Sequence, residues 1–147
     1  MLIPLLVTTV VTATATAAPE AFTGNVCSLV APTQLASVHV TVTKCTPHPT
    51  VNNSEGTIYD AVWGINKPTG GPRLNISILK PANAAMLQLM KSHAQKPDLA
   101  NGKTAANAQF VVGDYIVTIN LSTPTNKPLT SIAPFLALTN VVTGKLK

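Results

Sequence analysis

Two stretches of this chain leave little choice about their backbone. Arg73-Leu-Asn-Ile-Ser-Ile-Leu79 puts Leu74, Ile76 and Ile78 on one side of an extended segment, with Asn75 and Ser77 on the other. Tyr115-Ile-Val-Thr-Ile-Asn-Leu121 repeats the scheme: Tyr115, Val117, Ile119 and Leu121 share one face, and Thr118, Asn120 and Ser122 the other. A period of two is the signature of a strand with one face in a core, so any fold of this chain has to contain a sheet. Residues 109–112 precede the second stretch across Gly113-Asp114, which predicts a hairpin.

The remaining pattern fills in around that sheet. Residues 28–36 predict a short helix, with Pro32 in its first turn and Leu29, Leu35 and Ala36 turned inward. Val38-His-Val-Thr-Val-Thr43 alternates and predicts a first strand with His39 toward solvent. Residues 46–56 are rich in proline and asparagine and read as a loop, and residues 57–65 as a strand bearing the single tryptophan, Trp63. Residues 66–72, NKPTGGP, form a turn. A helix is expected to start at Pro81, with Ala82, Ala85, Met86, Leu89 and Met90 recurring at helical spacing and lying on the sheet. The two methionines at that spacing are core filling rather than a soft-metal box. After a connection over 97–103, the hairpin and the polar stretch 122–128, a last helix begins near Ser131, since Pro134 fits only a first turn. Its core residues are Leu129, Ile132, Phe135, Leu136, Val142 and Leu146. Helix, strands, helix, hairpin and helix in that order predict an α+β domain: an antiparallel β-sheet with amphipathic helices packed on it. Abundant valine and threonine make a small all-β sandwich the competing architecture.

The first residues, MLIPLLVTTVVTATATAAPEAF, run from apolar to small to the first charge at Glu20. That order predicts a signal peptide over 1–17 ending at Ala15-Thr-Ala17, a flexible lead-in over 18–26 and a single domain over 27–147. The apolar run is too short and too rich in threonine for a membrane span, so no integral membrane segment is expected in the mature form. Net charge is +5, from nine lysines and one arginine against five acids, and the lysines are scattered. Nucleic-acid binding calls for clustered cations, arginines and stacking aromatics, and one arginine with six aromatic residues excludes that class.

Cys27 and Cys45 are the only cysteines. In an exported chain an even count reads as a disulfide, and the separation of 18 is far from the Cys-x-x-Cys of a redox pair. Cys45-Thr-Pro-His48 looks like the ligand loop of the small blue-copper proteins, but no axial methionine follows the histidine closely, the next being Met86, and a free thiolate at Cys45 would leave Cys27 unpaired. No metal or cofactor is therefore expected. Gly24-Asn-Val26 before Cys27 is not a lipid-attachment sequence.

Cys27-Ser-Leu-Val-Ala-Pro-Thr-Gln-Leu-Ala36 resembles the Cys-x-Leu-Leu-Thr-Pro-Ala-Glu-Leu-Ala opening of small secreted proteins and lipoproteins common in actinobacteria. In that group a strand with an aromatic residue, a further strand, a helix, a Gly-Asp hairpin and a final helix follow, and the fold is similar to PsbP, the extrinsic photosystem subunit. The resemblance implies an exported α+β domain in a binding or envelope role.

The residues themselves are poorly suited to catalysis. The five acids stand singly, and the serines have no nucleophile-elbow context. The expected function is an exported non-enzymatic binding or envelope accessory protein. Tyr59, Asp60, Trp63 and Tyr115 are the expected binding residues, around an apolar small molecule or an envelope or protein partner between sheet and helix. A secreted hydrolase or isomerase using Asp60 or a histidine as base is the alternative.

Overall fold

A computed structural model of the chain describes residues 22–64, 71–92, 98–100 and 104–147. The expected signal peptide and most of the 66–72 turn lie outside the described residues. The chain enters through a 3-10 turn, Val26–Leu29, and a short helix α1, Pro32–Ser37. Strands β1 (Cys45–Pro47), β2 (Val51–Asn52), β3 (Gly56–Gly64) and β4 (Arg73–Pro81) follow, then helix α2 (Ala84–Ser92). Strands β5 (Asp98–Ala100), β6 (Ala105–Val112) and β7 (Tyr115–Ser122) lead to helix α3, Ala133–Gly144. All the strand pairs are antiparallel, in the order β1-β3-β4-β7-β6-β5, with β2 also on β3. The result is an open antiparallel sheet accompanied by helices, not a closed barrel.

Register explains the core. Trp63 pairs with Leu74 and Leu74 with Leu121; Ala61, Ile76, Ile119 and Ala108 form the next row; Tyr59, Ile78, Val117 and Phe110 the next. Directly paired residues point the same way, so this face is a continuous apolar surface. Phe135, Leu138 and Val142 of α3 close over it, together with Leu129, Leu146 and, from the amino-terminal part, Val26, Leu29, Leu35, Val38 and Val40. Ala106 and Ala108 lie where α3 meets β6, and their small side chains let the helix approach. Cys27 and Cys45 form a disulfide with a Cα–Cα distance of 5.7 Å, fastening the 3-10 turn to β1.

Several expectations are corrected. Residues 38–43 are not a strand: Val38 and Val40 are buried, but His39 has φ 62° and ends α1 in a tight cap, where Val40 N–H reaches Leu35 O at 2.9 Å and His39 N–H reaches Ala36 O at 3.1 Å. That is the double bond of a Schellman cap, and it produces alternating burial without any strand partner. Ala36 is exposed on α1. The expected loop over 46–56 holds β1 and β2, and the expected connection over 97–103 contains β5.

The helix expected at Pro81 begins later, because Pro81 still pairs with Gly56 at the end of β4. Asn83 supplies the cap, its Oδ1 accepting from Met86 N–H at 2.9 Å. The helix does not bury its apolar side chains: Ala82 and Ala85 are exposed, Met86 and Met90 half-buried, and Leu89 is 55% exposed. In α3 Leu136 is exposed, whereas Leu138, absent from the expected set, is buried, because the phase set by Phe135 and Val142 turns residue 136 outward. Among the described residues no helix is long and apolar enough to cross a membrane.

Candidate functional site

The expected binding residues fall on opposite faces of β3. Tyr59 and Trp63 are an even number of positions apart and face the core; Asp60 is odd to both and faces away. Trp63 is 1% exposed and packed into the core. Tyr59 and Tyr115 are brought together, and Phe22 stands edge-on to both rings at centroid distances of 5.4 and 5.6 Å. From Phe22 onward, then, the segment read as a flexible lead-in is packed on these aromatics. Gly24 allows it: φ is +89°, and a Cβ there would stand 2.8 Å from the Tyr59 ring. Phe22 of this chain thus packs against the two tyrosines expected to line a ligand site.

The other face has a different chemistry. Its register rows are Asp60, Ser77, Thr118 and Gln109; then Val62, Asn75, Asn120 and Asn107; then Gly64, Arg73, Ser122 and Ala105. Apart from Val62, which is buried, these side chains are half-buried or exposed, save that Gly64 has none. Toward the α2 end the face becomes apolar, with the paired Leu79 and Ile116 buried. Asp60 is the hub of the polar part. His48 continues the β1 register one residue beyond Pro47, its N–H bonded to Asp60 O at 2.9 Å, which places both side chains on the same face.

His48 Nδ1 lies 2.6 Å from Asp60 Oδ2, and Asn75 Nδ2 donates to Asp60 Oδ1 at 2.7 Å. A carboxylate only accepts, so Nδ1 is the donor and Nε2 of the neutral ring is left as acceptor. Side-chain exposure is 46% for His48 and 24% for Asp60, so the pair is wet and adds little stability. Arg73, the single arginine, is one row beyond Asn75 and two beyond Asp60. It borders two shallow depressions, one shared with Thr46 and His48 and the other with Asn75, Asn120 and Ser122. Its buried Nε has no hydrogen-bond partner among the described residues. Nor do the described residues contain a group of three or more metal-ligating side chains.

Asn75 is the member of this cluster that the sequence did not point to, and His48, noted there only for the likeness of its loop to a copper site, was not expected beside Asp60. The hairpin closed around 53–56 pairs 52 with 57 and 51 with 58, which continued unchanged would set residue 48 opposite 61; the β1 pairs are shifted by one residue, and that slip brings 48 opposite 60. Comparison of the chain with family models, with curated proteins and with solved structures yielded no match.

Proposed function

We propose that this is an exported, non-enzymatic binding protein whose ligand lies against the polar face of the sheet and is rich in hydroxyl groups. One observation carries the reading: adjacent register rows set seven short amide and hydroxyl side chains on one face, Asn75, Ser77, Asn107, Gln109, Thr118, Asn120 and Ser122. A merely solvated face is ordinarily dressed with long lysine and glutamate side chains. Amides and hydroxyls each offer a donor and an acceptor, and strands repeat about every 4.8 Å, a spacing that suits a flat neutral glycan. The Cys27–Cys45 disulfide and the apolar leader support export. Membership of the PsbP-like group of small secreted proteins is part of the same proposal and rests on the SLVAPTQLA opening and the order of elements.

Amide NMR of the labelled protein, titrated with a panel of neutral oligosaccharides, tests it. Saturable shifts are expected at 60, 75, 77, 107, 118 and 120, and are lost in the double variant Asn75→Ala/Asn120→Ala. Silence across the panel, or shifts that persist in the double variant, defeats the reading.

The hydrolase or isomerase reading has one observation in its favour, the ordered Asn75–Asp60–His48 chain that leaves Nε2 free beside Arg73. Turnover of an ester or enolisable substrate that vanishes in His48→Ala would select it.

A further inference from the structure

We propose a second site, independent of the sheet's polar face: a cleft between α1 with its capping turn and the 124–127 turn, which binds a small amphiphile through a carboxylate head. The cleft has a volume of about 530 Å³, well inside the range of roughly 300–1,000 Å³ found for small-molecule sites. Pro32, Ala36 and Pro124 give it an apolar wall, Thr41, Thr43 and Asn126 add hydroxyl and amide groups, and His39 and Lys127 are its titratable groups. No carboxylate lines it, in contrast to the polar face, where Asp60 is central.

The backbone supplies the second observation. His39 occupies the left-handed position of the α1 cap, with φ 62°, and among the described residues it is the non-glycine with positive φ. Glycine is the residue that position favours, since it has no Cβ to crowd the backbone. A histidine kept at a position that favours glycine, on the lining of this cleft, is the pattern of a side chain held for contact. Lys127 and His39 both line the cleft, each able to donate to an anionic group that enters, and the apolar wall accepts its tail. Carboxylate is the head group because it accepts from both an ammonium and an imidazole N–H.

Octanoate is the probe, titrated into the full disulfide-bonded chain and followed by amide NMR. Saturable shifts are expected at His39, Val40, Thr41 and Lys127. Octanol, which lacks the charge, and acetate, which lacks the tail, should each bind weaker by about tenfold or more, the effect of losing one charge-assisted contact or the buried chain. Lys127→Glu should weaken octanoate comparably, whereas Lys91→Glu on α2 should not. His39→Gly should raise the melting temperature yet weaken octanoate, a pairing that a histidine serving only the cap would not give. Lys127→Gln, which keeps a polar side chain at this exposed turn, repeats the test if the charge reversal disturbs folding. Octanol binding as tightly as octanoate, or unchanged octanoate affinity in both the His39 and Lys127 variants, overturns the proposal.

Discussion

The two faces of the sheet share the same strands and are built on opposite rules. On the core face any well-fitting apolar side chain serves, and the gain comes from area removed from water and from close packing. On the other face the side chains are short, polar and bound to one another, as in the Asn75–Asp60–His48 chain, and little folding energy rests on them. Adjacent residues therefore differ in what they contribute: Ile119 is fully buried and Asn120 exposed. Apolar burial and polar exposure are separated by the pleat itself, so either face can change with little effect on the other.

The strongest way to break that separation is at Trp63. Replacing it with alanine empties a site packed against Leu74 and Cys45, and a loss of about 3–5 kcal/mol is expected in chemical denaturation. A loss below about 1 kcal/mol, the size of an ordinary surface change, would mean that the core face is not the source of stability. Next in size is the disulfide, which fastens the 3-10 turn over the core edge. Cys27→Ala/Cys45→Ala should lose about 3 kcal/mol by the loop-entropy estimate, read as a lower denaturation midpoint than that of the oxidised protein. Smallest is Asn120→Ala on the polar face, expected to shift stability by no more than about 0.5 kcal/mol. If that variant instead unfolds early, the amide rows are structural and their availability to a ligand is lost with them.

The long strands were legible in the sequence because their alternation coincides with a real division between core and solvent. Leu74, Ile76 and Ile78 all meet the expected face, as do Val117, Ile119 and Leu121. Where the same pattern misled, a different cause had produced it. Val38 and Val40 are buried because a helix cap folds them inward on either side of His39. The Pro81 helix was overvalued because periodicity reports a face but not whether anything covers it. Here Asn83, not the proline, starts the helix, and Leu87 meets the sheet only near its end, in a depression shared with Lys80, Pro81 and Asp114. Of the expected binding residues, Asp60 stands apart from Tyr59, Trp63 and Tyr115 and is hydrogen-bonded to His48 and Asn75 instead. Its partners depend on a register set by two very short strands, and three and two residues carry too little pattern to fix a pairing.

Those short strands have a consequence for the protein in crowded surroundings. At one margin of the sheet β1 has three residues, one of them Pro47, and β2 two; at the other margin β5 has three. A foreign chain seeking to extend the sheet at the β1 and β2 margin finds only brief rows of unpaired backbone groups, interrupted by Pro47 and Pro49. The two strands with the cleanest apolar alternation, β4 and β7, lie in the interior of the ladder with a neighbour on each side, so the segments most apt to template a foreign strand have no free edge to offer.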